Sequence, residues 1–131
     1  MTICGLDHFT VLTNDLDATV DFYRQVLGLE TGPRPPLPFP GAWLYCDGAA
    51  LLNVIERVSI PKDAGVLDHI AFRGVNLAAF ISRLETRRLA YELRRLPEGG
   101  PAVGVWQLFF SDPNGARVEI DFAADERPTL S

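Results

Sequence analysis

Long hydrophobic runs are missing: nowhere do apolar residues continue for the roughly 18 positions needed to cross a bilayer, so no membrane partner is expected. The opening Met1-Thr2-Ile3-Cys4 lacks the basic segment and apolar stretch of a secretion signal, and a cytoplasmic location is expected. Cysteine is scarce. Its two copies, Cys4 and Cys46, fall in different predicted strands without CxxC or metal-type spacing; two reduced thiols partly in the core are expected, with a disulfide as the lesser alternative. Positive charge is in deficit, since 12 Lys and Arg face 17 Asp and Glu for a net charge of −5, the wrong sign for a phosphate backbone. Arg87, Arg88, Arg94 and Arg95 do cluster, but acidic residues surround them, and they read as a solvated helix end and strand edge. No nucleic-acid partner is expected.

What is present is the composition of an ordinary globular chain, 47% hydrophobic and 22% charged over 131 residues, enough for one domain or for two half-domains sharing a core. Histidine occurs only twice, and both copies sit in the same short string: Leu6-Asp7-His8 recurs as Leu67-Asp68-His69, 61 residues on. The surrounding plan recurs as well. In the first half a β-prone start is followed by Asn14-Asp15, a helix N-cap signal, and by Leu16, Val20, Tyr23 and Leu27 along one helical face, with Gly28 closing the helix. A short strand at Leu29-Glu30-Thr31 leads into a Pro-rich loop, Gly32 to Gly41, and then into strands Ala42 to Asp47 and Leu51 to Glu56 around an Asp47-Gly48 turn.

The second half repeats this order. A strand through His69 precedes Asn76 as a cap and a helix with Leu77, Phe80, Ile81 and Leu84 on its apolar face. The strand "AYELRRL", the loop "EGGPAVG", and the strands "VWQLFFS" and "ARVEIDF" around Asp112-Pro113-Asn114-Gly115 complete it. The fold class is therefore α+β: one domain, 1–131, built of two strand-helix-strand-strand-strand (βαβββ) modules, about 1–57 and 66–123, with a short tail, 124–131. Each sheet has one face for its helix, and pairing the other two faces around an opening for a ligand is the economical arrangement.

Strand alternation sets directions. His8 shares a face with Leu6 and Thr10, and Glu119 shares one with Arg117 and Asp121, while Val118, Ile120 and Phe122 point away. His8, His69 and Glu119 thus all project from mixed-polarity faces, and two imidazoles with one carboxylate make a donor set suited to a divalent metal with positions left open. The alternative is a pair of hydrogen-bonded histidines, each tied to its neighbouring Asp, and a surface carboxylate at Glu119. The paired placement of both histidines weighs toward the metal.

The strings "LDHFTVLTNDLDATVDFYRQVLGLE", "LDHIAF" and "FFSDPNGARVEID" together resemble the vicinal oxygen chelate superfamily, which includes glyoxalase I, extradiol ring-cleaving dioxygenases, and fosfomycin- and bleomycin-resistance proteins. The resemblance spans nearly the whole chain. It implies a cupped eight-stranded mixed sheet with helices outside and one divalent metal, and His8, His69 and Glu119 match the ligand positions. The fourth position falls near Asn53, where glyoxalase I enzymes carry a Glu that is both ligand and base; Asn cannot take a proton from carbon. Glu56 lies on the other strand face by parity, a judgement that a one-residue bulge would reverse. Extradiol enzymes, by the same resemblance, need a further His and a Tyr where this chain has Phe109, and fosfomycin transferases share Thr10 but need an anion-binding loop absent here.

The expected substrate pocket comprises Thr10, Asn53, Gln107 and Phe109, with Trp43, Tyr45 or Trp106 at its rim. A metal-dependent enzyme of glyoxalase/dioxygenase type is expected, acting on a small molecule with adjacent oxygens, and its catalytic acid or base is unassigned. A ring-cleaving dioxygenase and a non-catalytic binding protein are the alternatives. Fe(II) or Mn(II) suits three protein ligands best, with Zn(II) or Ni(II) behind them. A homodimer is expected from the resemblance and from sheet edges that a short chain leaves open.

Overall fold

A computed structural model describes residues 2, 4–63, 65–97 and 103–129. The chain divides into two units, Met1–Lys62 and Asp63–Ser131. The first holds β1 (Phe9–Thr13), α1 (Leu16–Gln25), β2 (Glu30–Gly32), β3 (Gly41–Cys46) and β4 (Ala49–Glu56). The second holds β5 (Ile70–Arg73), α2 (Leu77–Thr86), β6 (Glu92–Arg95), β7 (Trp106–Ser111) and β8 (Arg117–Phe122). Each sheet has four strands, in the orders β1-β4-β3-β2 and β5-β8-β7-β6, so the two share one topology. In both, the first strand lies parallel to the last and the other pairs are antiparallel. This is the α+β architecture of two βαβββ modules. Part of the "EGGPAVG" loop, 98–102, lies outside the described residues.

In the first unit α1 starts where Asp15 accepts the Ala18 N–H at 3.1 Å, and Glu56 accepts the Leu16 N–H at 3.0 Å from the end of β4. Its buried residues are Thr19, Phe22 and Tyr23: of the expected stripe Tyr23 is buried, while Leu16, Val20 and Leu27 are only half-buried. The physical reason is Thr19: its hydroxyl lies 2.8 Å from that of Thr13, so a polar residue can face the core with its hydrogen bond satisfied. Gly28 ends the helix at φ +78°, its N–H bonding to the Arg24 carbonyl and that of Leu29 to Tyr23. The Asp47-Gly48 turn takes positive φ at both residues, joining β3 to β4 in a tight hairpin. A register shift does occur opposite Leu44 and Tyr45 of β3, where β4 carries the extra residue, Leu51; beyond it, from Leu52 to Glu56, β4 pairs regularly with β1, so Asn53 and Glu56 keep opposite faces.

In the second unit α2 buries the expected Leu77, Phe80, Ile81 and Leu84. Phe80 meets Phe110 and Phe122 of the sheet at 6.2 and 5.8 Å between ring centroids. Its capping differs from expectation. Asn76 is the N-cap residue, at φ 69°, but its side chain makes no capping bond; the carboxylate of Glu126, about 50 residues on, accepts the N–H groups of Asn76 and Leu77. The tail is thereby tied to the unit. β5 is only four residues long, so His69 precedes the strand, as His8 precedes β1. Both cysteines are exposed and free, which corrects their expected place in the core: Cys4 lies outside any strand and Cys46 ends β3.

Candidate functional site

Strand β8 divides its side chains cleanly. Val118, Ile120 and Phe122 are buried on the side that packs against α2, so Arg117, Glu119 and Asp121 share the opposite face. The parallel register sets Ala71 of β5 against Glu119, and this places His69, two residues earlier, on the same face. His69 Nε2 lies 3.0 Å from Glu119 Oε1. Its other ring nitrogen, Nδ1, lies 2.8 Å from Asp68 Oδ2. Hydrogen bonding from His69, with the charge of Arg117 adding to it, holds the Asp68 carboxyl below its usual range despite some desolvation.

Both faces of the imidazole thus meet carboxylates. A neutral imidazole has one N–H and cannot donate to both. With Nδ1–H given to Asp68, Nε2 and Glu119 Oε1 are two lone-pair donors 3.0 Å apart, which one cation would satisfy together. Glu119 is only 5% exposed, so it is no surface carboxylate. Gln107 Nε2 donates to Glu119 Oε2 at 3.3 Å, and the Phe109 ring stands edge-on to His69 at 6.1 Å. Beside them, burial first and Glu119 second push the Asp121 carboxyl up to about 7. Asp121 Oδ1 is shut from solvent with no hydrogen-bond partner among the described residues. An imidazole held by its far nitrogen, beside the buried carboxylate of Glu119 and the half-buried one of Asp121, fits a divalent cation on its chemistry. Among the described residues, however, no group of three or more His, Cys, Asp or Glu gathers as a ready donor set; the second unit supplies the pair His69 and Glu119.

The first unit repeats the pattern with one change. His8 Nδ1 lies 2.7 Å from Asp7 Oδ1, and the ring is part-exposed. Thr10, exposed, is in register with Asn53, and Asn53 with Trp43, both half-buried. Asn53 therefore occupies in β4 the position that Glu119 occupies in β8, as Trp43 does for Phe109. Tyr45 donates its hydroxyl to the Pro33 carbonyl. Glu56, by contrast, is spent on the N-terminus of α1. Trp106 is not at a pocket rim: it is in register with Phe122, on the helix-facing side of its sheet, and gives its indole N–H to the Glu126 carbonyl.

One group went unread in the sequence. Arg94 donates to both oxygens of Glu92 at 2.8 and 3.1 Å, and Arg117 approaches the same carboxylate at 3.9 Å. Both guanidiniums lie over the Phe109 ring, at 4.9 and 4.6 Å from its centroid. Hydrogen bonding to Arg94, then the charges of Arg94 and Arg117, keep the Glu92 carboxyl below its usual range. An open groove of about 340 Å³ runs here, with Leu89, Tyr91, Glu92, Phe109 and Arg117 in its lining. The signal was Glu92 and Arg94 alternating in "ELRR", but only the register with β7 brings them to Phe109.

Comparison with known proteins agrees with the fold of two like modules. Residues 5–120 match the family model described as the Glyoxalase/Bleomycin resistance protein/Dioxygenase superfamily. A protein named Glyoxylase I 4, from Arabidopsis thaliana, is 35% identical over 124 residues, covering 90% of this chain and 70% of the relative. Among solved structures, a glyoxylase/bleomycin resistance protein/dioxygenase domain from Frankia sp. EAN1pec superposes with a TM-score of 0.76 at 19% identity, covering 96% of each chain. The fosfomycin resistance protein FosX from Listeria monocytogenes gives 0.71 at 19% identity, covering 94% of this chain and 93% of the other.

Proposed function

Because the chain belongs to the glyoxalase/bleomycin resistance protein/dioxygenase superfamily, we propose that it is a metal-dependent enzyme acting on a small organic molecule that offers two adjacent oxygens. The observation that carries the reading is His69 Nε2 facing Glu119 Oε1 at 3.0 Å, with Asp68 behind the imidazole and Gln107 on the second carboxylate oxygen. His69 and Glu119 are two of the ligands, and His8, their repeat-related counterpart, is the third. Fe(II) or Mn(II) suits such a set with open positions, ahead of Zn(II) or Ni(II). When bound, the ion would supply a Lewis acid that polarises the substrate's oxygens. Gln107 orients Glu119, Phe109 gives an apolar wall, and Thr10, Asn53, Trp43 and Tyr45 are the substrate-facing residues of the first unit.

The reaction parts from the name of the Arabidopsis relative at one position. An amide at Asn53 cannot carry a proton between carbons, and Glu56 is engaged by the Leu16 N–H. Turnover of the glutathione hemithioacetal of methylglyoxal is therefore expected to be negligible in protein supplied with Mn(II), Fe(II), Zn(II) or Ni(II). Rates typical of enzymes would overturn this part of the reading. Metal analysis of protein purified without chelators tests the rest: a stoichiometric divalent ion supports an enzyme, and its absence favours the non-catalytic binder.

A further inference from the structure

Across the second sheet, Glu119 of β8, Phe109 of β7 and Glu92 of β6 are in register as one row. Arg94 belongs to the neighbouring row, with Gln107, and Arg117 to the row on the other side, with Ser111. Both arginines nevertheless lean inward over Phe109 and converge on the Glu92 carboxylate. Arg94 takes both oxygens of that carboxylate and Arg117 reaches it only at 3.9 Å, while the charges of Glu119 and Asp68 also act on the two arginines. Arg117 Nε is also shut from water and has no hydrogen-bond partner among the described residues. Glu119, with His69 beside it, stands at one end of the row and Glu92 at the other, and the two guanidiniums lie over Phe109 between them, with strand spacings of roughly 5 Å each.

From this arrangement we propose that Arg94 and Arg117, carried on Phe109, seat an anionic group of the substrate, most simply a carboxylate that does not chelate the metal. The substrate class is then a small acid with two ends: adjacent oxygens directed to His69 and Glu119, and a carboxylate a few carbons away. Glu92 already shows the recognition, since its carboxylate occupies the focus of both guanidiniums and accepts two parallel bonds from Arg94. A substrate carboxylate competes with it for the same donors. The proposal rests on the metal reading only for the direction of the chelating end.

A matched pair of probes isolates the distal group: 2-oxoglutarate and 2-oxopentanoate share a five-carbon chain and an oxo-acid end, and differ in the second carboxylate. Titration calorimetry with Mn(II) alone comes first, and then with each acid, on protein with and without Mn(II). Wild type should bind 2-oxoglutarate about tenfold or more tightly than 2-oxopentanoate, the size expected for one charge-assisted contact. Arg94→Gln and Arg117→Gln should each shrink that ratio while leaving 2-oxopentanoate binding unchanged. Glu92→Gln, which removes the internal competitor, should widen it. A ratio near one in the wild type, or a ratio untouched by either arginine change in folded protein, overturns the proposal. Failure of Mn(II) itself to bind removes the metal reading instead, and the ratio measured on metal-free protein still decides the arginine seat.

Discussion

Glu56 ends β4 and Glu119 lies inside β8, the equivalent strand of the second unit, and the two meet opposite fates, decided by which face of the pleat each occupies. Glu56 is on the helix side and accepts the Leu16 N–H, where the helix dipole also favours its charge. Glu56→Gln should lower stability by about 0.5–1 kcal/mol in a urea melt while leaving divalent metal affinity intact. Asn53→Glu, which puts a carboxylate at the Glu119-equivalent position, should tighten Mn(II) binding. Glu92 offers a pH test. Its carboxyl is lowered from an ordinary 4.5 by Arg94 and Arg117, so its contribution to stability is present above pH 4.5 and is lost as pH falls through the lowered value. Carbon-13 titration of Glu92 should place its midpoint below that of an exposed glutamate, and Glu92→Gln should flatten the acid limb of the stability profile. A midpoint at the ordinary value would dissolve the arginine cluster in solution.

At the scale of elements, the two helices show what a sequence states and what it hides. α2 was legible because its five buried positions, Leu77, Ala78, Phe80, Ile81 and Leu84, are all apolar. α1 was legible at Tyr23, but its buried face is turned from the expected stripe toward Thr19 and Phe22, because Thr19 is buried against Thr13. The Asp47-Gly48 turn was readable from local chemistry alone. The cap of α2 was not, since Glu126 arrives from the far end of the unit. Glu126→Ala should cost about 1–2 kcal/mol, seen as faster amide exchange in the first turn of α2 before the rest of the unit responds. Unchanged exchange there would mean that water serves the helix end as well as Glu126 does.

At the scale of the molecule, the repeat of Leu-Asp-His at a spacing of 61 residues announced two like modules, and the two sheets share their strand order. The pair His69 and Glu119 was legible because strand alternation and a parallel first-to-last pairing bring them to one face. Arg94 and Arg117 were read as solvated charge or left aside because their meeting over Phe109 depends on a register between β6 and β7 that no local string encodes. Open sheet edges on a 14.5 kDa chain lead us to expect a homodimer, and light scattering that reports only the monomer at working concentrations would contradict it. The most direct test of the metal reading is calorimetric titration of Mn(II) into wild type, His8→Ala, His69→Ala and Glu119→Gln, each checked by a thermal melt. One ion per chain is expected in the wild type and none in any folded variant. Wild-type affinity surviving His8→Ala, His69→Ala or Glu119→Gln would contradict it.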